Sequence, residues 1–233
     1  MRQLPLEIRL ADHARFENFV ATGNELLVHQ LNQPATGAGT LWIWGATGSG
    51  RTHLLQACTS AAAGRGERVA YLPLERRFNL PAGMLDGLGE LDVVALDDVD
   101  AIAGDPAFES ALFRLYEELR HAGGRFIASG ASPPADAGLR LPDLVSRLEA
   151  GGVYRLKSLD DNGRLAALKV RARFRGFELP DDTGLYLLHH APRDVSSLFG
   201  ILDTLDRASL AARKRLTIPF VRSVLDLGRD GSG

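Results

Sequence analysis

The stretch that most constrains this chain is LWIWGATGSGRTHLLQA, residues 41–57. Leu41 to Trp44 is apolar enough for a buried strand, and glycines then stand at positions 45, 48 and 50. Arg51 to Ala63 has helical periodicity, with Leu54, Leu55 and Cys58 on its inner face. Strand, glycine loop and helix in that order match the phosphate-binding pattern G-x-x-x-x-G-K-[ST]. Glycines let the backbone turn tightly and approach a ligand closely. Loop amides and the helix N-terminus then converge on one anion-attracting spot. Gly45, Gly48, Ser49, Gly50, Arg51, Thr52 and His53 are the candidate nucleotide-binding residues, with the Thr52 hydroxyl offered to Mg²⁺. Arg51 departs from the pattern: it puts a planar fork where a lysine would be a compact point charge. A glycine-rich turn that binds nothing is the plainer alternative, but strand and helix context both fit binding.

The rest of the composition excludes several classes. A net charge of −2 gives no global reason to expect nucleic acid or an anionic membrane as main partner. One cysteine rules out a disulfide framework and a cysteine-rich metal site. Neither a leader pattern nor a long apolar run is present, so the expectation is a cytoplasmic protein. At 233 residues the chain can hold one sizeable core and a smaller second domain.

After the glycine loop, strands are expected at Val69–Leu74, Leu91–Asp98, Phe126–Ser129 and Val153–Leu156. Between them lie a short helix at Pro81–Leu88, an amphipathic one at Pro106–His121 and another at Asp143–Glu149. Such alternation predicts a parallel sheet covered by helices on both faces. Beyond Leu156 only helical signals remain: Asp160 can cap a helix to Phe174, and others follow at Pro180–His190, Arg193–Ala211 and Ile218–Leu227. The expected organisation is an N-terminal peptide (1–10), an α/β nucleotide-binding domain (11–157), a helical domain (158–228) and a disordered tail (229–233).

Chemistry is offered at three further places. Asp97 and Asp98 close an apolar strand downstream of the loop; Asp97 can hold the Mg²⁺ water shell and Asp98 can polarise an attacking water. Both could instead be strand-end carboxylates satisfied by loop amides. Arg147, in LPDLVSRLEAG, could stabilise a partner's γ-phosphate in trans or simply pair with Asp143 or Glu149. Leu4, Leu6 and Ile8 alternate around Pro5, giving an edge strand or packed tail, or a docking peptide; spacing alone favours the former. The basic stretch 207–222 is broken up by Asp203, Asp206 and Asp226 and reads as a solvated helix face rather than a DNA patch.

Taken together, GATGSGRTHLLQA, ALDDVDAIAG, ASPP, LPDLVSRLEAG and RARFRGFELP resemble the DnaA-related AAA+ family, and within it the shortened Hda group more than the initiator itself. The resemblance runs over nearly the whole chain. It implies an AAA+ fold: a P-loop parallel-sheet domain followed by a small all-helical lid. It further implies an adenine nucleotide (ADP or ATP) with Mg²⁺, and DnaA and the polymerase III sliding clamp (β subunit) as partners. DNA would be met indirectly through the clamp, and self-association is left open. By this likeness Gln3, Leu4, Pro5 and Leu6 fall on the clamp-docking peptide, and Arg147 is the trans-acting arginine on DnaA. The implied function is stimulation of DnaA-bound ATP hydrolysis, which limits re-initiation of replication. Arg51 suits the Hda group. Ala131 stands where the family has an aspartate, and Ser196 where it has a lid arginine, with Arg193 one turn earlier. These three positions make slow intrinsic hydrolysis the expectation. The alternatives are a self-contained P-loop ATPase and a DnaA-like initiator or loader; the sequence lacks the initiator's flanking domains, which argues against the latter.

Overall fold

The computed structural model describes residues 14–34, 37–74, 81–192 and 194–230. They divide into two units: Gly23–Ser158 with the described residues up to Phe16, and Glu17–Thr22 with the segment from Leu159 onward.

In the first unit, strands β1 (Gly39–Trp44), β2 (Val69–Pro73), β3 (Val93–Asp97), β4 (Arg125–Gly130) and β5 (Gly152–Arg155) form one sheet, ordered β2-β3-β4-β1-β5. Every pairing is parallel. All the strands therefore end at the same edge, and the loops that leave them gather there. All residues of β3 and β4 are buried, as central strands of a parallel sheet covered on both faces must be. Helices α1 (Glu25–Asn32), α2 (Arg51–Gly64), α3 (Pro106–Ala122) and α4 (Pro142–Glu149) complete the unit.

Helix α3 follows its sequence signals closely. Asp105 accepts from the Ala107 and Phe108 N–H groups, Pro106 opens the first turn, and Gly123 ends the helix at φ 79°. Its stripe of Phe108, Leu112, Leu115 and Leu119 enters a core with Trp42, Leu96 and Phe126. Each such fully buried side chain contributes about 2 kcal/mol. Glu109 lies among them, 2% exposed. Its carboxylate accepts from the backbone N–H of Gly104 (2.7 Å), Arg140 (2.9 Å) and Leu141 (2.7 Å). That satisfies a charge that would otherwise be costly to bury, and it ties the start of α4 to α3. Where one helix was expected at 81–88, two short 3-10 turns occur, Ala82–Leu85 and Leu88–Glu90. Gly87 sits between them at φ 81° and breaks the run.

Cys58, on the inner side of α2, is fully buried, and its thiol donates to the Leu31 carbonyl (3.2 Å). Burial pushes its pKa up to about 11. A soluble thiol reagent at pH 8 should leave the folded protein unlabelled and react stoichiometrically after denaturation; rapid labelling of the folded protein would contradict this placement.

The second unit holds α5 (Asp161–Phe174), α6 (Asp181–His190), α7 (Val195–Ala212) and α8 (Ile218–Asp230). Asp160 caps α5 through the Gly163 N–H (2.7 Å), and Asp194 caps α7 through the Ser197 N–H (2.8 Å). The start of α7 is thus set by that cap, two residues beyond the expected Arg193. Leu168, Leu187, Leu198, Leu202 and Val221 form the core. Arg207, Arg213, Lys214, Arg215 and Arg222 are exposed, as a solvated face requires, while Asp203 and Asp206 face the helical unit's own arginines. Asp203 pairs with Arg171 (2.8 Å) and Arg175 (3.2 Å), and Asp206 with Arg175 (2.8 Å). Helix α8 reaches Asp230, into the stretch expected as tail. Gly228 within it costs about 1 kcal/mol of helix propensity without ending the helix. No helix among the described residues is long and apolar enough to cross a membrane.

Candidate functional site

The loop between β1 and α2 is seated by its neighbours. The Gly45 N–H donates to Gly130 of β4 (3.3 Å), and the Leu156 N–H to Trp44 (2.7 Å). A side chain at Gly45 would bring its Cβ to 2.9 Å from the Leu156 carbonyl oxygen and 3.3 Å from Ser49 Oγ. Gly48 (φ 76°) and Gly50 (φ 104°) take the left-handed backbone that turns the chain into α2. No acidic residue lies in the first turn of that helix. Ser49 Oγ is buried without a hydrogen-bond partner. A glycine-lined turn, a helix N-terminus with no acid in its own first turn and an orphaned hydroxyl together fit a phosphate.

Arg51 adds a feature that the motif does not foretell. Its Nη1 donates to the Gly45 carbonyl and its Nη2 to Asp98 Oδ1 at 2.7 Å. The two side chains are 11% and 25% exposed. The motif assigns a phosphate to one and an attacking water to the other, and the fold pairs them. Asp98 stands in the left-handed region (φ 56°, ψ 56°) just beyond β3. Burial and the neighbouring Asp97 charge push its pKa up, against the pull of Arg51.

Asp97, the last residue of β3, is 2% exposed. Tyr71 of β2 donates its hydroxyl to Oδ2 (2.8 Å), and Ser129 of β4 donates to Oδ1 (2.5 Å). Ser129 Oγ also accepts the Asp98 N–H (3.0 Å). Burial and then the Asp97 charge push the Tyr71 hydroxyl far up, so it remains a donor. Neither Tyr71 nor Ser129 stood out in the sequence. The sheet order is the signal that finds them, because β2 and β4 flank β3. Ala131, where the resemblance places the family aspartate, is exposed beyond the end of β4; the β4 side chain that touches Asp97 is Ser129.

Thr52 is exposed on the first turn of α2. Mg²⁺ usually keeps several waters and takes only one or two protein ligands beside substrate phosphates. Of the two donors expected for it, Thr52 is exposed, whereas Asp97 is 2% exposed and already accepts from Tyr71 and Ser129. The His53 ring hydrogen-bonds the Arg15 carbonyl (2.9 Å).

Arg147 lies apart from this cluster in its bonding. On α4, it pairs through Nε with Glu117 Oε1 of α3 (3.2 Å), not with Asp143 or Glu149, and its side chain is 51% exposed. Glu117 is shared with Arg120 (2.9 Å), and the arginines, Arg120 foremost, hold its carboxyl below the usual range. Leu144 and Leu148 anchor the opposite side of α4 in the core. Ser196 is exposed in the first turn of α7. Gln3, Leu4, Pro5, Leu6 and Arg193 lie outside the described residues.

Comparison with known proteins agrees with this geometry. The model of the bacterial DnaA ATPase domain matches residues 10–154, more than half of the chain. That of the Hda lid domain matches residues 161–225. Among solved structures, domain III of the Thermotoga maritima replication initiation protein DnaA superposes with a TM-score of 0.80 at 24% identity, covering 91% of this chain and 95% of that one. AMPPCP-bound DnaA from Aquifex aeolicus gives 0.71 at 23%, covering 85% and 66%. The Thermotoga maritima RuvB branch-migration motor gives 0.65 at 16%, covering 89% and 68%. At such identities the structural likeness shows the fold alone. The family matches go further: this chain belongs to the DnaA-related AAA+ family and is Hda-like, with a DnaA-type ATPase domain followed by an Hda-type lid.

Proposed function

We propose that this protein is a regulatory AAA+ adaptor which, tethered to the DNA-loaded sliding clamp, stimulates hydrolysis of DnaA-bound ATP. The observation that carries the reading is the contrast between two arginines. Arg51, beside the chain's own P-loop, is nearly buried and engaged by Asp98 and Gly45. Arg147 is half exposed on a helix fixed by Glu109 and an apolar face. The first arrangement suits a nucleotide that is held and turned over slowly. The second suits a guanidinium offered to another molecule's phosphate.

On this reading an adenine nucleotide is held by the amides of residues 45–52, with Thr52 and Asp97 taking Mg²⁺. When bound, Mg²⁺ neutralises charge on the phosphates. Tyr71 and Ser129 orient Asp97 by donating to both of its carboxylate oxygens. Arg147 enters the ATP site of DnaA and stabilises the charge that develops on the transferring phosphoryl group. Gln3, Leu4, Pro5 and Leu6 dock on the clamp as a short extended peptide. Limited re-initiation of replication is the outcome.

The test is reconstitution: DnaA–ATP, clamp loaded on DNA and this protein are mixed, and released phosphate is counted. Stimulation should require all three components, and this protein alone should turn over ATP slowly. Deleting residues 1–8 should abolish clamp binding and, with it, the clamp-dependent part of the stimulation. Unchanged clamp affinity in the truncated protein would remove the docking role from Gln3–Leu6.

A further inference from the structure

We propose that Asp98 competes with the nucleotide's terminal phosphate for Arg51, and so sets the affinity of this P-loop and its preference between ADP and ATP. The inference rests on the nucleotide-binding reading above. Its basis is that the P-loop guanidinium already has an anion. Nη2 meets Asp98 Oδ1 at 2.7 Å while Nη1 holds the Gly45 carbonyl, so contacts on both terminal nitrogens turn the fork back on the protein. With exposures of 11% and 25%, the pair is screened far less by salt than a surface pair would be.

Asp98 is also held in place. Its backbone is in the left-handed region, its N–H is given to Ser129 Oγ, and a 3-10 turn follows at Val99–Ile102. The carboxylate is therefore presented by a fixed backbone. In the P-loop pattern the basic residue at this position faces the β- and γ-phosphates. A phosphate that recruits Arg51 must take it from Asp98, exchanging one charge-assisted contact for another with little net gain. The γ-phosphate brings further negative charge toward an acid left without its cation. ATP is penalised more than ADP on both counts.

The experiment is calorimetric titration of ADP and ATP into the parent, Asp98→Asn, Arg51→Ala and the double variant, in Mg²⁺ and again in EDTA. Asparagine is the replacement of choice because it tolerates the left-handed backbone and keeps the shape of aspartate. Asp98→Asn should tighten ATP by about tenfold, the worth of one charged hydrogen bond, and ADP by less. The gain should survive in EDTA and shrink severalfold when Arg51 is alanine, leaving only the part due to Asp98's own repulsion of the γ-phosphate. An equal gain in the Arg51→Ala background would mean only that a negative charge has been removed, and would overturn the proposal. So would unchanged or weaker ATP binding by Asp98→Asn, while leaving the nucleotide reading intact. Failure of every variant to bind either nucleotide would overturn both. Thermal melting of each variant confirms that the titrated protein is folded.

Discussion

Replacing Arg147 with alanine should reduce clamp-dependent phosphate release from DnaA–ATP by about a thousandfold or more, because trans-acting arginines are worth roughly 10³–10⁵ in rate. The effect should fall on the rate at saturation. The clamp-docking peptide is separate in sequence, so clamp affinity should not change. Arg147→Lys should recover little, since an ammonium cannot match a planar fork that spans two phosphate oxygens. Folding should be unaffected. The side chain is half exposed, it pairs with Glu117, and α4 is anchored by Leu144, Leu148 and the Glu109 contacts. A variant that melts like the parent and stimulates at even half the parental rate would show that the catalytic guanidinium is elsewhere.

Gly45→Val should weaken adenine nucleotide binding by about a hundredfold, roughly 3 kcal/mol, which is the scale of losing several amide contacts to one anion. The cause is steric. A Cβ at this position meets the Leu156 carbonyl oxygen at 2.9 Å and Ser49 Oγ at 3.3 Å. The first neighbour is backbone at the end of β5 and cannot swing aside, so the loop itself must shift. Displaced by even part of an ångström, its amides no longer converge on one point. The α/β unit should remain folded, at a cost of about 1–3 kcal/mol of overpacking strain. Fluorescence titration with a labelled adenine nucleotide reads the affinity, and circular dichroism reads the fold. Parental affinity in a folded Gly45→Val protein would move the ligand off this loop.

Of these two positions, Gly45 was legible in the sequence by itself. Gly45 to Thr52 form a local motif whose strand, turn and helix are neighbours in the chain, so spacing alone reveals their geometry. Helix caps at Asp105 and Asp160 and the buried stripe of α3 are local in the same sense. Asp97 could be placed at a strand end because β3 is an unbroken apolar run. At Arg147 the residue pattern by itself favoured a solvated ion pair, and only the resemblance implied a trans-acting role.

The partners of these residues were decided elsewhere. Arg51 and Asp98 are 47 positions apart, and Ser129 and Asp97 are 32 apart. Tyr71 reaches Asp97 only because β3 runs between β2 and β4, an order that chain sequence does not impose. Arg147 meets Glu117 because α4 lies against α3, where the sequence offered Asp143 and Glu149 as nearer partners. Sequence by itself thus determined which backbone can cradle an anion and which strands can be buried, since those depend on short-range sterics and hydrophobic periodicity. Tertiary structure alone decided which charge neutralises which, because that depends on distances between elements set by sheet order and helix packing.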